Sequence, residues 1–123
     1  MNQKNIFTGI AAVLVLQGIA FYTMGDKVMA EVYPNLDEGG ASAVLIMMTV
    51  VAMLSITIGL ITYSARNSPQ VLWAYTVGYG LILLNTSKHR FMDDVNVPIP
   101  AMVIQLGIVL LCGWLWYQQS QKK

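Results

Sequence analysis

The sequence predicts an all-α polytopic membrane protein: an antiparallel bundle of four transmembrane helices, with a short interfacial helix in the first loop. Hydrophobic residues make up 56% of the 123 residues and charged residues only 11%, against about 25% charged residues in soluble globular domains. The few charged side chains also lie between long apolar runs and not within them. This composition and this placement are typical of membrane proteins and exclude an ordinary water-soluble domain.

Four uncharged apolar runs are long enough to cross a hydrocarbon core of about 30 Å, which takes about 20 helical residues. These predicted spans cover residues 6–24, 41–64, 69–87 and 98–117. Since they account for most of the chain, residues 1–123 are predicted to form a single transmembrane domain. The runs are continuous, whereas an outer-membrane β-barrel has shorter segments of alternating polarity.

Breaks in the apolar pattern separate the spans. Gly25-Asp26 ends the first span, Gly39-Gly40 precedes the second, and Asn96-Val97-Pro98 opens the fourth. Between the second and third, Ser68 is predicted to cap the third helix, with Pro69 at the first helical position, where the missing amide hydrogen costs nothing. This tight link predicts that the second and third spans are antiparallel neighbours.

The first loop is predicted to form a short amphipathic helix at the membrane surface, broken near Pro34. Its apolar residues recur at helical spacing: Val28, Met29, Val32, Tyr33 and Leu36. An ordered loop is the alternative. Val28-Met29-Ala30 also fits a signal-peptide cleavage site, but Asp26 and Lys27 separate this tripeptide from the apolar run. We therefore expect the first span to be a permanent helix.

The distribution of charge predicts that both termini face the cytoplasm. Four spans place the termini and Arg66 on one side, and residues 25–40 and 88–97 on the other. The basic residues divide almost evenly between the two sides: Lys4, Arg66, Lys122 and Lys123 against Lys27, Lys88 and Arg90. All six acidic residues lie on the second side. Acidic residues contribute little to topology, so they only support this orientation.

Two glutamines are predicted to lie at the same depth in the bundle. Gln17 and Gln105 are equally far from the outer ends of the first and fourth spans, and Thr49 and Tyr79 come to a similar level. An amide facing lipid is costly, so both glutamines are expected to face the interior. The structural interpretation is a hydrogen bond between them, worth about 0.6 to 2 kcal/mol. The functional alternative is that they line a solute site.

The densest polar segment, residues 85–94, follows this layer at the outer end of the third span. If the helix continues for another turn, His89 and Asp93 form one i,i+4 pair, and Arg90 and Asp94 form another. One hypothesis is an outer-side pocket for an anionic or lipid-like solute, lined by Gln17, Tyr79, Asn85, Lys88, His89, Arg90 and Gln105. The alternative is a helix end that basic side chains anchor among lipid head groups.

The sequence offers little for catalysis, metal binding or a cofactor. It has no glycine-rich phosphate loop, no HExxH and no GxSxG motif. The lone Cys112 forms no CxxC pair, and the eight methionines are best explained as packing residues. An enzyme would rest only on His89 with Asp93 or Asp94 as an acid–base pair. A net charge of +1 gives no support for nucleic-acid binding.

Small residues at four-residue spacing predict close helix packing in two spans. Ala74 and Gly78 form one such pair, Thr76 and Gly80 a second, and Ser55 and Gly59 a third. Packing inside one bundle is favoured over association with another membrane protein or a second copy. An aromatic belt is expected near the cytoplasmic ends of the third and fourth spans, at Trp73, Trp114, Trp116 and Tyr117.

The layout of four short-looped spans, with Lys88-His89-Arg90-Phe91 ending the third and Pro98 opening the fourth, resembles the small DoxX-like bacterial membrane proteins. The resemblance implies a compact four-helix bundle of the bacterial inner membrane and no particular activity. Small multidrug exporters have a similar length, but the acidic residue expected in their first span is missing here. We therefore expect a non-catalytic accessory or scaffold subunit, with solute binding or transport as the alternative.

Overall fold

The computed structural model describes residues 2–93 and 95–121, which form four α-helices joined by short connections. The helices are α1 (Gln3–Val32), α2 (Glu38–Ser64), α3 (Leu72–Phe91) and α4 (Ile99–Ser120). A 3₁₀ turn, Pro69–Val71, leads directly into α3. The predicted all-α class is confirmed, and each predicted span corresponds to one helix.

Three of the helices, α1, α2 and α4, are long and apolar enough to cross a membrane. The last turn of α3 contains Lys88, His89 and Arg90. Its remaining residues, 72–87, extend about 24 Å at about 1.5 Å per residue, which is less than the hydrocarbon core of about 30 Å. Helix length and composition therefore support three of the four predicted spans directly.

Large apolar side chains cover the outside of the helices. Met47 of α2 is 67% exposed, Leu84 of α3 is 70% exposed, and Leu110 of α4 is 61% exposed. So many exposed large apolar side chains are typical of surfaces that contact lipid or another protein.

Residues 7–64 form one compact unit, in which α1 and α2 pack closely at small residues. A Cβ atom added at Gly18 would lie 2.7 Å from the Ala52 carbonyl oxygen, and one added at Gly59 would lie 3.0 Å from that of Ala11. Ser55 Oγ also donates a hydrogen bond to the Leu14 carbonyl oxygen at 2.9 Å. Since the order of contacts along α2 is reversed along α1, the two helices are antiparallel.

The loop between these two helices is shorter than the predicted spans imply. Met24 has non-helical backbone angles (φ −120°, ψ 18°) and kinks α1, but the helix resumes and ends at Val32, just before Pro34. The kink divides α1 into two helices, so the predicted short helix after the first span corresponds in part to residues 25–32, and it ends before Pro34 and Leu36. Asp37 caps α2, since its Oδ1 accepts the Gly40 amide hydrogen at 2.7 Å. This cap places Gly39 and Gly40 inside α2.

Residues 1–6 and 65–123 form the second compact unit, of which residues 2–6, 65–93 and 95–121 are described. Within it α3 and α4 are antiparallel, because Thr76 near the start of α3 contacts Gly113 near the end of α4, whereas Thr86 near the end of α3 bonds to Gln105 in the first half of α4.

The predicted side-chain cap at Ser68 is wrong. Ser68 does precede Pro69, but its hydroxyl makes no capping hydrogen bond. The chain enters a 3₁₀ turn instead, and the Val71 amide donates to the backbone oxygen of Ser68 at 3.4 Å. A backbone acceptor therefore takes the donor that a side-chain cap would use.

Candidate functional site

The cluster that the sequence singles out, residues 85–97, is built around the last turn of α3. The helix continues through Lys88, His89 and Arg90 to Phe91, as the i,i+4 argument requires. The Met92 amide closes it by donating to the Lys88 carbonyl oxygen at 2.8 Å, and the Val95 amide donates to that of His89 at 3.0 Å. Backbone hydrogen bonds therefore fold the following segment back onto the helix end.

Two of the three basic side chains in this turn bond to the segment that follows it. His89 Nδ1 lies 2.7 Å from Asp93 Oδ2, which confirms the predicted pair. Arg90 Nη1 donates to the Val97 carbonyl oxygen at 2.7 Å and to Asn96 Oδ1 at 3.2 Å. The other predicted partner of Arg90, Asp94, lies outside the described residues. These contacts tie the end of α3 to the start of α4.

Gln105 is connected to α3. Its Oε1 accepts a hydrogen bond from Thr86 Oγ1 at 2.7 Å, and the same hydroxyl lies 3.0 Å from the Ile82 carbonyl oxygen. Thr86 therefore links α3 to α4 one turn before His89. Gln17 belongs to the other compact unit, where it is half-buried. The predicted bond between the two glutamines stays a prediction.

The remaining predicted site residues lie apart along α3. Tyr79 is half-buried, and its ring stacks on that of Tyr75, with centroids 6.1 Å apart and an interplanar angle of 22°. Asn85 and Lys88 are exposed. Within this unit the polar side chains thus make separate local contacts, with Gln105, Asp93 and the Val97 carbonyl oxygen as the main acceptors.

The residues that complete these contacts are not singled out by the sequence. Thr86 belongs to a polar run, and it lies one turn before Arg90 and so faces a similar direction. Asn96 and Val97 indicate only the break before α4. A search for acceptors within reach of Arg90 in the short connection to α4 would have found both.

The cluster gives limited means for metal binding or acid–base chemistry. Among residues 2–93 and 95–121, no three His, Cys, Asp or Glu side chains lie close enough to hold a metal ion. The His89–Asp93 pair has both side chains largely exposed, at 44% and 39%. Cys112 is buried within α4. It lies several turns after the start of that helix, and Arg90 bonds to the segment just before this start.

The small-residue positions fall into two structural classes. Ser55 and Gly59 face α1 directly, so the favoured internal use holds for that pair. At Gly78 and Gly80 of α3, by contrast, an added Cβ would meet no described atom within 4 Å apart from the backbone of its own stretch of helix. Ala74, one turn before Gly78, is exposed. This part of α3 therefore presents small side chains that the described chain leaves uncovered.

No family model, curated protein or solved structure matches the chain. The resemblance to DoxX-like proteins accordingly stays a prediction.

Proposed function

We propose that the chain is a small integral inner-membrane protein that acts as a non-catalytic accessory subunit. It crosses the membrane four times with both termini in the cytoplasm, and α3 with its preceding 3₁₀ turn forms the third span. The surface that binds the partner is the small-residue face of α3, which we define as Ala74 and Gly78, four residues apart and so on one side of the helix. The partner is a transmembrane helix of another membrane protein.

The open space at Gly78 is the observation that carries this proposal. Helix association in lipid depends on close van der Waals contact, which small residues permit by letting two backbones approach. The chain already uses this device at Gly18 and Gly59, where α1 and α2 meet. The flanking residues of α3, Leu81 and Leu84, are among its most exposed apolar side chains, as expected for a helix that faces lipid or another helix.

The contacts of the outer cluster favour a subunit over a solute carrier. A cationic pocket would need its guanidinium available to the solute, but Arg90 is bonded to Asn96 and to the Val97 carbonyl oxygen. Asp93 Oδ2 lies 2.7 Å from His89 Nδ1. The negative charge of Asp93 would therefore repel an anion that approaches His89. The cluster then serves mainly to fix the connection between α3 and α4.

A pull-down of the tagged full-length chain in mild detergent, analysed by mass spectrometry, tests this function. We expect a second membrane protein to co-purify with the wild type. Replacing Gly78→Leu should remove it, because the larger side chain blocks close approach of the partner helix. Gly9→Leu is the matched control, since Gly9 on α1 also has open space around it and is exposed.

Three results would contradict the proposal. The first is recovery of the tagged chain as the only protein species. The second is a partner that the Gly78→Leu variant retains as well as the wild type. The third is self-association that depends on Gly78, which would make the face of α3 a contact between two copies of the chain.

A further inference from the structure

A second polar site lies at the opposite end of α3 from the outer cluster, in the unit formed by residues 1–6 and 65–123. It is a cleft of about 510 Å³, which we call the basic cleft, lined by Asn2, Gln3, Lys4, Arg66, Asn67 and Gln119. The start of α1, the turn before α3 and the end of α4 all contribute to it. These residues take no part in the proposed subunit contact on α3, and the composition of the chain assigns them no function.

The electrostatics of the basic cleft favour an anion. Lys4 and Arg66 are the charged residues among those that line it, and both are basic. Among the described residues of this unit the only acidic side chain is that of Asp93, beyond the far end of α3. That helix has 20 residues and so extends about 30 Å, nearly four Debye lengths at physiological salt. Asp93 therefore does little to neutralise the cleft.

An amide group in the wall of the cleft has hydrogen-bonding capacity left over. Gln119 Nε2 donates to Gln3 Oε1 at 2.9 Å, which fixes the Gln3 amide. Gln3 Nε2 is then shielded from solvent and has no acceptor among the described residues. A shielded amide donor without an acceptor is costly, so the wall of the cleft holds a polar group that the described chain leaves unsatisfied.

An aromatic groove adjoins the basic cleft and shares Pro69 and Gln119 with it. This groove has a volume of about 520 Å³, and its walls include Trp73 and Trp116. The two indole rings are 54% and 47% exposed. Tryptophan side chains concentrate at the membrane interface because the ring is apolar and its N–H is polar. The pair of sites therefore offers cations and amides on one side and indole rings on the other.

We propose that the two adjoining sites bind one anionic phospholipid of the cytoplasmic leaflet. The phosphate group lies in the basic cleft near Lys4 and Arg66. The glycerol and first acyl carbons lie along Trp73 and Trp116 in the aromatic groove. This inference rests on the proposed membrane placement, with residues 65–68 at the cytoplasmic surface, but not on the proposed partner.

Native mass spectrometry of the full-length chain in neutral detergent tests the site with phosphatidylglycerol and phosphatidylcholine as probes. We expect phosphatidylglycerol to bind more tightly. The double variant Lys4→Gln/Arg66→Gln should weaken its binding about 25-fold, because each basic residue contributes about fivefold to affinity for anionic lipid. Lys88→Gln is the control for each single substitution, since it removes one positive charge at the far end of α3 and should leave binding unchanged.

Two further arms identify the source of the phosphate. Inorganic phosphate and glycerol 3-phosphate, titrated calorimetrically, should bind much more weakly than phosphatidylglycerol, because they gain nothing from the aromatic groove. Trp73→Ala should weaken phosphatidylglycerol binding and leave glycerol 3-phosphate binding unchanged. If inorganic phosphate binds as tightly as phosphatidylglycerol, the site takes a free phosphate and the lipid proposal is wrong.

Equal binding of the two lipids, or unchanged phosphatidylglycerol binding in the double variant, would also overturn the proposal. If the double variant does not fold, the wild type decides the question by its salt dependence. Raising salt from about 0.05 M to about 0.5 M should weaken phosphatidylglycerol binding, because shorter screening lengths weaken exposed charge pairs. Salt-independent binding would contradict a site built on Lys4 and Arg66. The pull-down with Gly78→Leu is separate, so this site and the subunit function can fail independently.

Discussion

At the residue scale, two helical glycines of the same chain have opposite surroundings. Gly18 lies against α2, where an added Cβ would be 2.6 Å from Ile56 Cγ1 and 2.7 Å from the Ala52 carbonyl oxygen. At Gly78 an added Cβ would meet no described atom within 4 Å apart from the backbone of its own stretch of helix. Replacing each glycine by alanine adds the same methyl group and the same gain in helix propensity. A difference in stability between the two variants therefore reports the packing around each site.

We predict that Gly18→Ala destabilises the protein and that Gly78→Ala does not. At Gly18 the added methyl meets a backbone oxygen that cannot move away, and overpacking of this kind costs about 1–3 kcal/mol. Alanine in place of a helical glycine contributes only about 0.5–1 kcal/mol of stabilisation. Gly78→Ala should give that gain without the cost. Unfolding by sodium dodecyl sulfate in mixed micelles measures both variants, and equal midpoints would contradict the packing at Gly18.

Threonine and serine hydroxyls show how polar residues fit an apolar helix. Thr49 and Thr57 of α2 each donate to the carbonyl oxygen four residues earlier, at 3.0 and 2.9 Å, and Thr76 of α3 does the same at 2.9 Å. Such bonds satisfy a hydroxyl inside its own helix. These side chains are therefore compatible with lipid and need not mark a polar channel.

At the scale of elements, the contact between α3 and α4 includes the hydrogen bond from Thr86 Oγ1 to Gln105 Oε1. We predict that Thr86→Val and Gln105→Leu are not additive. The coupling free energy should be about 0.6–1.7 kcal/mol, the range for hydrogen bonds between membrane helices. A double-mutant cycle of unfolding in micelles measures this coupling.

Thr76→Val paired with Gln105→Leu is the control for this cycle. The Thr76 hydroxyl bonds to the Leu72 carbonyl oxygen within α3 and lies near the other end of that helix. The control pair should be additive. Coupling as large in the control as in the test pair would show that the cycle reports a general loosening of α3, and the Thr86–Gln105 bond would lose its support.

Several elements could be predicted from the sequence because their signals are local. Long uncharged apolar runs specify helices, and the i,i+4 spacing of His89 and Asp93 specifies their contact. The cap on α2 is equally local, since Asp37 precedes Gly40 by three residues. The glycine pair after Asp37 nevertheless predicts a break where the structure has the start of α2.

The parts of the candidate site that could not be predicted depend on distant residues. Gln3 and Gln119 are at opposite ends of the sequence, and nothing in either segment alone indicates that their amides bond. The sequence predicts the Gln17 amide, at the same depth in the bundle, as a partner of Gln105. In the structure Gln105 Oε1 accepts a hydrogen bond from the Thr86 hydroxyl of α3. Depth along each helix follows from the sequence, whereas the direction in which a side chain faces depends on how the helices pack.

At the scale of the whole molecule, the proposed four-span topology requires that α3 crosses the membrane. Its apolar part, residues 72–87, is shorter than the hydrocarbon core of about 30 Å. The turn at Pro69–Val71 extends it at one end, and at the other end the long side chain of Lys88 is able to snorkel toward the head groups. A short span of this kind can also be accommodated by local thinning of the bilayer.

Cysteine accessibility in a bacterial membrane tests this claim most directly. Single-cysteine variants Asn67→Cys and Met92→Cys, made with Cys112→Ala, place a thiol on each side of α3, and both positions are exposed. A membrane-impermeant maleimide added to intact spheroplasts should label Met92→Cys and not Asn67→Cys, with Asn35→Cys labelled like Met92→Cys. After the membrane is permeabilised, all three should react. If the thiols at positions 67 and 92 are labelled from the same side, α3 does not cross the membrane and the four-span account is wrong.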